Sequence, residues 1–170
     1  MPAIAQATDA ERHFESLVRD HSADLFRLAV RLTGQQAEAE DVVQRAFLRA
    51  LEAIRRGAFR GDSEARTWLY RIVLNVVFDE RRRASRFERF RAQPQARVVS
   101  AESVEAGAVL RELRQSLEAL PDDQRTALVL KELHGLSGRQ TAEVMSRSEA
   151  SIEQLLVRAR ISLRARFDHD

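Results

Sequence analysis

The chain has 170 residues, with 28 basic side chains against 26 acidic ones and no cysteine, which excludes disulfides and thiolate chemistry and fits a reducing compartment. That length suits two small helical units better than a large catalytic cleft. The histidines His13, His21, His134 and His169 show no metal-ligand spacing, and there is neither a secretory leader nor an apolar run of roughly 18 residues, so a cytoplasmic protein without a membrane span, metal or cofactor is expected.

Phe14, Leu17, Val18, Leu25, Leu28, Ala29 and Leu32 recur at the spacing of one helical face, and Thr33-Gly34 supplies a stop. After the polar stretch 35–40, Val42, Val43, Ala46, Phe47, Ala50, Leu51 and Ile54 repeat the pattern up to Gly57, which predicts a second helix packed on the first. Gly61-Asp62-Ser63 reads as a loop with cap-forming oxygens ahead of a third helix over about 65–83. Between Trp68 and Phe78 this helix is apolar almost all round; Arg71 and Asn75 join Thr67 and Asp79 in a polar stripe spaced every four residues. Such a stripe faces either solvent or a polar ligand.

Residues 81–97 hold seven Arg against the single Glu88, whereas residues 1–50 carry 6 basic and 8 acidic side chains. A dense Arg block suits phosphate contact through counterion release and forked hydrogen bonds; a solvated linker is the other reading. Gln93-Pro94-Gln95 interrupts helix, and no apolar period persists over 84–108, which marks a flexible linker between a first domain, 1–83, and a second, 109–170.

The second domain opens with Val109, Leu110, Leu113, Leu117 and Leu120, stops before Pro121, and resumes from Asp122 to Leu133 ahead of Gly135. Ser137-Gly138-Arg139-Gln140 has the form of a capping box. A short helix with Ala142, Val144 and Met145 follows, then a turn at Ser146-Arg147-Ser148 and a last helix from about Glu149, with Ile152, Leu155, Leu156, Ala159 and Leu163 on its buried face. Short helix, tight turn and longer helix form the layout that sets a recognition helix in a major groove, although helix pairs are common in all-α proteins. With no strand or hairpin signal, the fold class is all-α.

Three segments occur in order: Ala29-Val-Arg-Leu-Thr-Gly34, Ala39-Glu-Asp-Val-Val-Gln44, and Phe59-Arg-Gly-Asp-Ser63 with Thr67-Trp-Leu-Tyr-Arg-Ile72. Together they resemble the extracytoplasmic-function (group IV) bacterial RNA polymerase sigma factors, with 14–83 similar to the family's region 2 and 109–167 to its region 4. Leu120-Pro121, Gly135-Leu136-Ser137 and Arg158-Ala-Arg160 extend the likeness.

The resemblance implies promoter-specific transcription initiation. Asp41, Val42, Gln44 and Arg45 would hold the β′ clamp helices of core RNA polymerase, with region 4 near the β flap. Phe59, Asp62, Ser63, Tyr70, Arg71 and Asn75 would capture the opened minus-ten element: Asp62 and Ser63 bond base edges, Phe59 or Tyr70 stack, and Asn75 offers a donor and an acceptor. Arg71, Arg81, Arg82 and Arg83 would hold phosphates. Arg147, Ser148, Ser151, Gln154 and Arg158 would meet the minus-thirty-five element. Glu153-Gln154-Leu155 departs from the family's commoner basic, small polar, Arg pattern, so this helix reads a different sequence, binds weakly or meets protein instead. The resemblance further implies an anti-sigma partner. A sigma-like decoy that binds such a partner without reading promoters is the alternative, and an enzyme would need converging catalytic groups, of which the sequence shows none.

Overall fold

The computed structural model describes residues 9–59, 64–88, 112 and 115–167, and all regular structure among the described residues is helical. The chain divides into two compact units, Met1–Ala96 and Arg97–Asp170.

In the first unit three long helices pack pairwise: α1 (Asp9–Thr33), α2 (Gln36–Arg55) and α3 (Ala65–Glu88). The α1 stripe buries Leu17, Leu25, Leu28, Ala29 and Leu32, much as its periodicity predicts. From α2 the fully enclosed residues are small, Ala39, Val42, Ala46 and Ala50, while Val43, Phe47, Leu51 and Ile54 are half-buried along its edges. A seam of Ala lets the α2 backbone approach its neighbours closely, and the larger flanking side chains fill the gaps, Phe47 edge-on to Phe14 at 6.0 Å between ring centres. Helix α3 supplies Leu69, Tyr70, Val73, Leu74, Val76 and Val77 to the same core.

Two of these helices end as their glycines predict. Gly34 and Gly57 adopt φ of 80° and 66°, a left-handed conformation that other residues enter at a cost. The third helix outruns its predicted end: α3 continues to Glu88, so residues 84–88 are helical and are not part of a flexible linker. The remainder of the proposed linker, and the start of the helix predicted from Val109, lie outside the described residues apart from Glu112.

In the second unit, a helical turn at 115–118 leads through Leu120 and Pro121 into α4 (Asp122–Leu128), whose last turn widens into a π-helical segment, Val129–Leu133. The His134 N–H donates to the Val129 carbonyl at 3.0 Å, five residues back, and Gly135 at φ 67° turns the chain. Helix α5 (Gly138–Met145) opens with the anticipated capping box. The Gln140 N–H donates to the Ser137 Oγ at 3.1 Å, and the Ser137 N–H donates to Gln140 Oε1 at 2.8 Å. Ser146, at φ 52° in the left-handed region, closes α5, and α6 (Glu149–Phe167) follows. Leu120, Ala127, Leu128, Ala142, Ile152, Leu156 and Ala159 form the core, with Leu117, Met145, Leu155 and Leu163 packed against it. The buried face predicted for the last helix is the observed one.

Because the capping box satisfies two helix-end N–H groups at once, Ser137→Ala is expected to destabilise the second unit by about 1 kcal/mol. Denaturant unfolding followed by far-ultraviolet circular dichroism checks this; an unchanged transition would mean that solvent replaces the cap without loss.

Candidate nucleic-acid interface

Three polar groups meet between α1 and α3. The Tyr70 hydroxyl donates to Asp24 Oδ2 at 2.5 Å, the Arg66 Nε donates to the same oxygen at 2.8 Å, and an Arg66 terminal nitrogen reaches the Tyr70 oxygen at 3.1 Å. Arg27 adds a bond to the other Asp24 oxygen at 3.2 Å. Tyr70 is fully buried, and burial, reinforced by its bond to Asp24, pushes its phenol well above the ordinary tyrosine value. This corrects the expectation that Tyr70 stacks on a base: its ring belongs to the core, where it helps anchor the first turn of α3.

Phe59 is the last described residue before position 60. Its ring lies 4.5 Å from that of Trp68 and 5.5 Å from that of His13, and it remains partly exposed. Aromatic packing thus fixes Phe59 before residues 60–63, and the Asp24 network fixes Arg66 and Tyr70 after them. Asp62 and Ser63 themselves lie outside the described residues.

Beyond the loop, the predicted polar stripe of α3 divides. Thr67 is buried at 3 % exposure, which corrects its place on a solvent- or ligand-facing line. Arg71 is half-buried and Asn75 is exposed. Asp79 bonds Arg82 and, at 2.9 Å, Arg49 of α2; these partners, Arg82 first, hold its carboxyl below the ordinary range. Asn75 thus stands in solvent one turn from each of two charged residues. Arg81 donates to the Leu32 carbonyl at the end of α1, so it closes a helix terminus and is not open to phosphate as expected. Arg83 and Arg86 are exposed.

On α2, Val42 is fully buried, which removes it from any docking surface, because the position that looked like a contact is a core position of the amphipathic helix. Asp41 and Gln44 are exposed, and Arg45 pairs with Glu80 of α3. The outer face also carries Leu48, 62 % exposed. Sequence reasoning missed Leu48, and its signal was an apolar residue out of phase with the buried stripe.

In the second unit Arg147 pairs with Asp123, and the Ser148 Oγ accepts from the Ser151 N–H at 3.2 Å, so both shape the entry to α6. Ser151 is half-buried, whereas Gln154 and Arg158 are exposed. Arg160 bonds Glu132 at 2.7 Å, and Leu155, one of the three atypical residues, packs against the core.

Comparison with known proteins places these units. Residues 17–87 match the model of Sigma-70 region 2, and residues 110–163 match that of Sigma-70, region 4. The RNA polymerase sigma-H factor of Pseudomonas aeruginosa is 33% identical over 168 residues, spanning 88% of this chain and 83% of that protein. The ECF RNA polymerase sigma-E factor of Escherichia coli is 35% identical over 141 residues, spanning 72% and 70%. In fold, the chain is similar to the sigma factor RpoE solved with the anti-sigma factor NepR from Bartonella quintana: TM-score 0.80 at 23% identity, covering 94% of this chain and 99% of that one.

Tyr70 is the only tyrosine, so its ionisation can be followed directly. An unfolded tyrosine ionises near about pH 10. Because the folded value is raised, the folded state keeps a proton that the unfolded state loses, and the contribution of this group is complete below that pH and lost as pH climbs toward the folded value. Phenolate absorbance is therefore expected to rise together with unfolding, and Tyr70→Phe is expected to flatten the alkaline fall in stability at a cost of about 1–2 kcal/mol near neutrality. A phenol that titrates at the ordinary value in the folded protein would contradict the network.

Proposed function

The chain belongs to the ECF RNA polymerase sigma factors, and from that premise we propose how its two units divide the work of promoter-specific initiation. Residues 1–83 act as region 2, which binds the polymerase clamp and opens the downstream element. Residues 109–170 act as region 4, which reads the upstream element near the β flap. The observation that carries this reading is the ordered match of both regions onto a chain whose first unit is a helical bundle and whose second is a helix-turn-helix.

Within region 2, the exposed α2 face of Asp41, Gln44 and Leu48 is the polymerase contact, with Arg45 braced against Glu80 beside it. Asn75, exposed and carrying both a donor and an acceptor, is the base reader on α3. Opening a promoter costs a few kcal/mol per unstacked base, and the partly exposed Phe59, with Asp62 and Ser63 that follow it in the sequence, recovers part of that by stacking and hydrogen bonding. Arg71, Arg82 and Arg83 track phosphates. In region 4, Arg158, Gln154 and Ser151 face the upstream DNA, while Arg147 and Ser148 set the angle at which α6 enters the groove.

None of these roles is catalytic; the chain directs the polymerase's own chemistry. It works in the cytoplasm, where polymerase and promoter are, and an anti-sigma protein restrains it. The family resemblance supports that restraint, and the fold is shared with a sigma factor, RpoE, solved with the anti-sigma factor NepR.

Run-off transcription with purified core polymerase tests the assignment. Transcripts are expected from promoters with a two-part motif. Asn75→Ala is expected to relax or abolish the downstream preference, and Arg158→Ala to weaken use of the upstream one about ten-fold. Binding to core polymerase without any transcript would favour a decoy that engages an anti-sigma protein.

A further inference from the structure

On α6 four side chains form a compact outward strip. Glu153, Gln154 and Arg158 are exposed, and none has a hydrogen-bond or ion-pair partner among the described residues; Val157 is 52 % exposed. Several of their neighbours are engaged, while Glu149, Ile161 and Arg164 are exposed elsewhere along the same helix. Arg147 holds Asp123 and Arg160 holds Glu132, the Ser148 hydroxyl caps the helix, and Leu155, half-buried, packs against the core. The chemistry this strip presents is an acceptor-only carboxylate, an amide with one donor side and one acceptor side, a branched apolar group and a guanidinium.

Glu153 lies one turn from Val157, and Gln154 one turn from Arg158, so the strip is two columns wide. A helical turn rises about 5.4 Å, which is roughly two base-pair steps of 3.4 Å. A helix seated in a major groove would thus present Glu153 and Gln154 to one pair of base pairs, and Val157 and Arg158 to the next.

Each group prefers a different base edge. A carboxylate only accepts hydrogen bonds, so it is repelled by the keto edges of guanine and thymine. Adenine sets an acceptor, N7, beside its amino group, whereas cytosine offers the donor alone. The Gln amide matches the adjacent donor and acceptor of adenine, and the Val methyls match the thymine methyl group. The guanidinium bonds phosphate without reading sequence.

We propose that Glu153, Gln154 and Val157 determine the upstream specificity of this protein, selecting an element in which a cytosine and an adenine lie within about two base pairs of each other, next to a thymine. The proposal rests on the assignment of the second unit as the upstream-element reader and adds which bases it reads. Of the three atypical residues, Leu155 packs against the core, and Glu153 and Gln154 are the exposed polar pair beside half-buried Ser151.

The test is selection by transcription from a promoter library randomised in both elements, using the full chain with core polymerase. The wild type is expected to enrich cytosine and adenine at neighbouring upstream positions. Glu153→Ala should relax only the cytosine position and Gln154→Ala only the adenine position, each on the order of ten-fold, with the downstream motif untouched. Glu153→Gln, which replaces an acceptor-only group by a donor and acceptor at the same size, should move its position from cytosine toward adenine. Both residues are exposed, so the variants are expected to keep the wild-type melting transition. An upstream motif unchanged by all three substitutions, or a retained downstream motif with no upstream preference, would overturn the specificity assignment alone. Absence of both motifs in the wild type would defeat the promoter-reading function, and this inference with it.

Discussion

The Asp24 carboxylate is the interaction on which the first unit turns. A tyrosine hydroxyl taken out of water without an acceptor costs several times the net value of an ordinary hydrogen bond, so the core position of Tyr70 is tenable because Asp24 reaches it across the gap between α1 and α3. With Tyr70 turned inward, helical geometry places Leu69, Val73, Leu74, Val76 and Val77 inward as well and leaves Asn75 outward. The same carboxylate holds Arg66, the second residue of α3, and so ties the start of that helix to α1. A contact that looks like stability is thus what aims the groups proposed to meet DNA.

Charge is used in the same way. Arginine makes the chain look like a nucleic-acid binder at first sight, yet many of its guanidiniums are committed to the fold. Arg45 and Arg49 knit α2 to Glu80 and Asp79 of α3, Arg81 closes the end of α1, and Arg147 and Arg160 brace α6 against Asp123 and Glu132. Exposed pairs of this kind contribute little stability each; their effect is to fix orientation. Asn75 on α3 and Glu153, Gln154 and Arg158 on α6 are among the exposed groups the fold does not use, as are Arg83, Arg86 and Arg164, and such groups are readable as ligand-facing.

The family and its two-region order were legible because they are written in local pattern. Apolar spacing, the Thr33-Gly34 stop and the Ser137–Gln140 capping box depend on residues within one or two turns of each other, and the structure reproduces all three. The polymerase and DNA contacts were only half legible. Val42 and Tyr70 lay in family-like segments and were taken for surface, although both are core; Leu48 lay among apolar residues and was taken for none of these roles, although it faces solvent. Whether such a residue points in or out depends on the rotational phase of the helix, which a margin of one residue shifts by about 100°.

By itself, then, the sequence determined an all-helical chain with two regions, where most helices stop, and the ordered motifs that place it among sigma factors, since each follows from short-range periodicity and backbone preference. Only the tertiary structure decided which arginines are spent on the fold, that Asp24 serves Tyr70 and Arg66, and that Glu153 and Gln154 are left exposed without a partner among the described residues. Those outcomes come from residues 24 to 49 positions apart meeting in the folded chain, and no local rule of propensity or spacing encodes a meeting at that range.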